Sequence, residues 1–171
     1  MCPPASTKSR NTLSFIKTLV LFAFLFIPPL VATAGNPELE EFQSAIRLKY
    51  DLKEQAFRDN DIEPIINRFY SADVISTDNE GITHIGRDAL RPVYEEVIAL
   101  LVTIESFDTF VKGDAGWDWV NFHVTYPPEI EGDPFTFKML FLWERVDGEW
   151  WSRGEMFVLG KFDLSGVATA H

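Results

Sequence analysis

RDNDIEPIINRFYSADVISTDNEGITHIGRD, residues 58–88, packs several changes of structure into one short run. Asp59-Asn60-Asp61 breaks an upstream helical pattern, and Asp61 is placed to cap the next one. Ile62, Ile65, Ile66, Phe69 and Tyr70 then recur at helical spacing, which predicts a helix over 62–70, with Pro64 tolerated in its first turn. A strand-like run follows over 73–77. Asp78-Asn79-Glu80-Gly81 is a turn by composition, with Gly81 free to take positive φ, and 82–85 would pair back. Gly86-Arg87-Asp88 opens another helix.

Upstream, Phe42, Ala45, Ile46, Lys49, Leu52 and Ala56 form a narrow apolar stripe, so residues 38–58 read as a helix with one face in solvent. Glu38, Glu40 and Glu41 in its first turn complement the helix dipole. Downstream, Leu90, Val93, Tyr94, Val97, Leu100 and Leu101 predict a third helix over 88–101, where Pro92 sits within the first turn. Beyond Val102 the period drops to two. Strands are expected over 103–112, 117–126, 134–146 and 149–159, and Asp147-Gly148 is a strong hairpin signal. Three helices followed by long antiparallel strands indicate an α+β domain, with helices covering one face of a bent sheet.

The chain has 171 residues, a formal charge of −11, five Trp and fifteen Phe. That length suits one domain. The acidic balance argues against nucleic acid, because neutralising phosphates needs clustered Lys and Arg. Lys8, Arg10 and Lys17 precede an apolar run over 18–31, and Ala32-Thr33-Ala34 supplies the small residues of a cleavage site. This is the pattern of a signal peptide over 1–34. The apolar run is too short for a membrane span. An exported domain over 35–171 is therefore expected, periplasmic or secreted. Cleavage would remove the only cysteine, Cys2, leaving neither a disulfide nor a thiol nucleophile.

The order helix, helix, short strand pair, helix, four long strands resembles the NTF2-like superfamily, which includes ketosteroid isomerases and SnoaL-type cyclases. The resemblance rests on Asn60-Asp61-Ile62 with Ile65-Ile66 and Phe69-Tyr70, on Ala72-Asp73-Val74 with the Asp78 turn, on Gly86-Arg87-Asp88-Ala89-Leu90, and on Asp147-Gly148-Glu149-Trp150. It implies a cone, in which a strongly curved mixed or antiparallel sheet wraps a pocket and the helices close its side. It also implies homodimers formed through the sheet. Asp78 falls where the steroid isomerases place their general base. The tyrosine of their oxyanion hole falls near Lys53 and the acidic partner near Lys138 or Met139, so steroid isomerisation is rejected. A pocket histidine that many relatives carry on the last strand aligns, through Gly148 and Trp150, with Met156.

Asp78 as a base needs an apolar wall, which Phe69, Tyr70 and the Trp-rich strands could supply; the alternative is an aspartate that caps its own turn. His84, on the return strand, could shuttle a proton with Asp78, or stand as an edge histidine. His123 shares a strand face with Trp117, Trp119, Asn121 and Thr125, which suits either the concave pocket or a dimer face. Arg153 and Glu155 share a face of the last strand, as a polar-ligand contact or as an ion pair within the sheet. Three histidines without HxxH or HxH spacing, the last being His171, do not supply a zinc site. Adjacent Trp150 and Trp151 must point to opposite faces, so one lies outside the core unless a partner covers it. The expectation is a cofactor-free domain that binds a small, largely apolar molecule, with Phe69, Tyr70, Trp117, Trp119 and Met156 as binding residues. The alternatives are a lyase, isomerase or cyclase using Asp78, with His84 or His123 assisting, and a dimeric interaction module. Asp78 hydrogen-bonded to a histidine in a cavity of about 300 Å³ or more would mark the enzyme.

Overall fold

The computed structural model describes Met1 and residues 35–163. Residues 2–34 of the expected signal peptide, and His171, lie outside the described residues. Among those described, no helix is long and apolar enough to cross a membrane.

Helix α1 spans Pro37–Asp59. Asn36 caps it by accepting from the Glu38 amide, Pro37 sits in its first turn, and Asn60 ends it in the left-handed conformation, so the helix begins one residue before the expected start at Glu38 and ends, as expected, at the Asp59-Asn60-Asp61 break. Its buried face runs through Phe42, Ile46, Tyr50, Lys53 and Phe57, so a lysine occupies a core position of an otherwise apolar stripe.

The helix expected over 62–70 is not α-helical for most of its length. Asp61 does accept from the Glu63 amide at 3.0 Å, but Ile65–Phe69 form a π-helical turn. The wider turn buries Ile65, Ile66 and Phe69 together, and Tyr70 leaves it already extended, as the first residue of strand β1, Tyr70–Thr77. Strand β2, Thr83–Ile85, returns antiparallel to it. Helix α2, Arg87–Val97, stops four residues short of the expected end. A turn bond from the Leu100 amide to the Val97 carbonyl leads straight into β3.

Strands β3 (Leu101–Lys112), β4 (Ala115–Thr125), β5 (Phe135–Val146) and β6 (Glu149–Leu159) form an antiparallel meander. The β5–β6 hairpin turns on Asp147 and Gly148, both at positive φ, the conformation a type I′ turn requires. The full sheet order is β2-β1-β6-β5-β4-β3, with β1 parallel to β6. The architecture is α+β, on a mixed sheet.

Three irregularities interrupt the ladders: one in β3 between Ser106 and Asp108, one between β5 and β6 where Leu142 pairs with Gly154 but Trp143 with Ser152, and one between β1 and β6, between Tyr70 and Ile75. In the second, Arg153 is the extra residue. A bulge reverses which residues face inward beyond it. Trp150 and Ser152 are buried before it, Glu155 after it, and Met156 is exposed.

The inner face holds an aromatic core in which Phe69 lies 5.5 Å from Phe141 and 5.3 Å from Trp143, centroid to centroid. Trp150 packs 4.6 Å from Phe42. Trp151 is covered within the chain, by Lys49 Nζ at 4.5 Å and the Arg87 guanidinium at 5.2 Å, so it does not by itself call for a partner. The outer face is also aromatic. Phe110 stacks on Trp117, and Phe162, beyond β6, stacks on Phe107. The Asn121 side chain grips the Phe162 backbone at both ends, accepting from its amide at 2.8 Å and donating to its carbonyl at 3.2 Å. Asn121 is buried although it lies on the outer face.

Candidate functional site

Between α2, Phe57 of α1 and the inner face of the sheet lies a cavity of about 190 Å³. Leu90 and Val97 close one side, and Phe122, Phe135, Phe137 and Phe157 the other. Its walls are apolar, and its polar groups are few: Ser76, Asp78, His84, Tyr94 and Glu155.

Glu155 is the centre of a buried cluster. Its Oε1 accepts from Ser76 Oγ at 2.8 Å and its Oε2 from the Tyr70 hydroxyl at 2.6 Å. Tyr70 in turn meets the Tyr94 hydroxyl at 2.5 Å and accepts from Lys53 Nζ at 2.6 Å. The Lys53 ammonium stands 3.7 Å from Glu155 Oε2 and sees no solvent. It is ringed by aromatic faces, with Phe69 at 4.4 Å, Tyr70 at 4.7 Å and Tyr94 at 5.1 Å from it to the ring centroids. Burial pulls the Lys53 pKa from 10.5 down to about 8, against the opposing pull of Glu155. Burial, reinforced by the Glu155 charge, holds the Tyr70 and Tyr94 hydroxyls well above the ordinary phenol value. Lys53 and Tyr70 lie behind the wall; Glu155, Ser76 and Tyr94 reach it.

Of the residues expected from sequence, Asp78 and His84 reach the cavity. Among the described residues no hydrogen bond joins them. Asp78 Oδ1 accepts from the amides of Glu80 and Ile82, both at 2.9 Å, which is the geometry of an aspartate capping its own turn. The cavity is also smaller than the volume set above for an enzyme. Phe69 and Tyr70 are fully buried in the core beneath the cavity.

Trp117, Trp119, His123 and Met156 are not brought to the cavity. Alternation along β4 does split Trp117, Trp119 and His123 from Asp118, Val120 and Phe122, but it is the second set that faces inward. His123 lies on the outer face between Thr136 Oγ1 at 3.0 Å and Glu105 Oε2 at 3.3 Å. Met156 is turned out by the bulge at Arg153, which puts Glu155 where simple alternation from Trp150 does not. The same bulge parts Arg153 from Glu155: Arg153 is exposed and pairs with Asp73 and Glu144. Lys53, Ser76 and Tyr94 were not foreseen as site residues. The available signal was Lys53 itself, a cation on an apolar helix stripe.

No family model matches the chain, and no curated protein does. Solved structures do. An NTF2-like protein of unknown function from Pseudomonas putida superposes with a TM-score of 0.60 at 21% identity, over 73% of this chain and 90% of that one. A ketosteroid isomerase-like protein from Erwinia carotovora gives 0.58 at 20% identity, over 73% and 98%. A protein with a cystatin-like fold from Caulobacter vibrioides gives 0.60 at 12% identity, over 71% and 91%.

Proposed function

This chain has the NTF2-like fold, and on that footing we propose that it is an exported domain that binds one small, largely apolar molecule in its cone cavity. The observation that carries this reading is the cavity of about 190 Å³, walled by apolar side chains and floored by a buried carboxylate that four other polar side chains hold in place. Apolar surface with a few convergent polar groups is the composition of small-molecule sites. A cavity of about 150 Å³ already takes up benzene, so the space suits a compact ring system. The test is a thermal-shift screen of the purified chain against small hydrophobic metabolites. A true ligand at about a hundredfold over its Kd adds about 2.7 kcal/mol to the apparent stability. A screen in which no compound raises the melting temperature counts against the reading.

The same domain works as a homodimer through its sheet. Support comes from the outer face, where Phe110, Trp117, Leu142, Met156 and Val158, all on neighbouring strands, are exposed, and apolar side chains gathered on one face are the kind that an interface covers. Native mass spectrometry of the protein recovered from outside the host cytosol is expected to give the mass of two copies, each beginning at Gly35. A full-length monomer would remove both the export and the dimer from the proposal.

A further inference from the structure

We propose that the cavity selects neutral apolar molecules carrying a hydrogen-bond donor, an aliphatic alcohol above all, and rejects the matching ketone. This rests on the ligand-binding reading above and specifies the ligand's polar end.

Proton bookkeeping at the floor leads there. Tyr70 has one hydroxyl proton, and it goes to Glu155 Oε2. Its oxygen already accepts from Lys53 Nζ. In the 2.5 Å contact between the two tyrosines, Tyr94 must therefore be the donor. With that proton committed, the Tyr94 oxygen can only accept from a ligand. Ser76 has likewise committed its proton, to Glu155 Oε1. The Glu155 carboxylate has none. Three acceptor groups thus line the cavity, each with lone pairs and none with a proton to give. Asp78 adds a further acceptor, and among the polar side chains here His84 alone can offer a proton.

A ketone oxygen set against this floor would be buried opposite other acceptors, with no proton between them, and an unmatched buried acceptor is costly. A hydroxyl supplies the missing proton. An ammonium supplies it too, but brings a second cation to a carboxylate that Lys53 already balances at 3.7 Å. It must also shed its hydration into an apolar space. The neutral donor is what the floor fits. Steroid isomerase chemistry needs the reverse arrangement, donors aimed at a ketone oxygen.

The probes are menthane, menthol, menthone and menthylamine, which share one carbon frame, titrated calorimetrically into the full chain at neutral pH. Menthol is expected to bind roughly tenfold to a hundredfold tighter than menthone, the range for one hydrogen bond to a charged acceptor. Glu155→Gln puts an amide donor on the floor and should collapse or reverse that ratio. Menthone binding as well as menthol, menthane matching menthol, or menthylamine binding tightest would each overturn the donor rule while leaving an occupied pocket. Unchanged discrimination in Glu155→Gln would overturn the assignment to that carboxylate. If none of the four binds, menthane included, the ligand-binding reading falls and this inference with it.

Discussion

Glu155→Leu is expected to cost about 3–5 kcal/mol of folding stability, the range for stripping one partner from a buried ion pair. The change removes the only carboxylate that a salt-bridge contact gives Lys53 among the described residues, and with it the acceptors of Tyr70 and Ser76. The Lys53 ammonium sees no solvent. The aromatic ring faces around it attract a cation but cannot replace a full negative charge. Lys53→Met added to Glu155→Leu should recover most of the loss, because the stranded charge is gone. Urea denaturation of the two single variants and the double variant measures the coupling. Additive losses would mean that the pair is not energetically linked.

The pH dependence carries the same signature. The Lys53 pKa is lowered in the folded state, so between about 8 and 10.5 the unfolded chain holds a proton that the folded chain has released. Stability rises with pH wherever the unfolded state binds more protons, so this group's burial penalty is present in full below pH 8 and is relieved above it. Tyr50, Tyr70 and Tyr94 act in the opposite sense. Their raised values keep them protonated in the fold, while the unfolded phenols ionise near pH 10, so their contribution is present below that value and lost above it. Stability should climb from about pH 8 and then turn over above about pH 10. In Glu155→Leu the climb should begin lower, because Glu155 holds the Lys53 pKa up.

Asp118→Ala should be nearly as damaging, at about 2–4 kcal/mol. Asp118 is fully buried and accepts three hydroxyl protons: Tyr50 at 2.8 Å, Ser106 at 2.6 Å and Thr109 at 2.8 Å. Ser106 and Thr109 have enough exposure to turn to water. Tyr50 has none, and an orphaned buried hydroxyl costs about 1–3 kcal/mol. Burial raises the Asp118 pKa, so the carboxylate charge is itself a burden at neutral pH, and the loss on truncation comes from the stranded donors. Asp118→Asn, which keeps an acceptor oxygen, should lose less. A urea midpoint for Asp118→Ala within error of wild type would show that the network does not hold α1 to the sheet.

Legibility from sequence followed the physics of each element. Hairpins were plain, because Asp147-Gly148 needs positive φ and those residues tolerate it. The first helix announced its C-terminal end with Asp59-Asn60-Asp61, while its start was read one residue late, at Glu38, because Asn36 and Pro37 suit a loop as well as a cap and first turn. The π-helical turn did not show, because Ile65, Ile66 and Phe69 fit α spacing equally well and only tertiary packing widens the turn. The two faces of β4 were separable by alternation, but not their direction, since Trp117 and Trp119 are as apolar as the core residues opposite them. Their exposure is tolerable because Phe110 stacks on Trp117 and Phe162 packs edge-on against Trp119. Glu155 was within reach as a residue but not as a site. Its orientation depends on one unpaired residue, Arg153, and the one mark of it in the strand is the neighbouring Gly154, which suggests a bulge but not which way the side chains beyond it turn. Lys53 was not read as a core residue, because the apolar stripe was drawn through Lys49 and Leu52 instead, and its partners were not legible either, because Tyr70, Tyr94 and Glu155 converge from three separate elements.

The clasp between Asn121 and Phe162 has a practical corollary for handling the protein. Phe162 shields Phe107 and the edge of Trp119, so a protease that trims the chain at Gly160 would leave the domain folded but unroof a greasy strip along β3 and β4. Shortened preparations should then self-associate or precipitate at concentrations where the intact chain does not, a change in solubility without a change in melting behaviour.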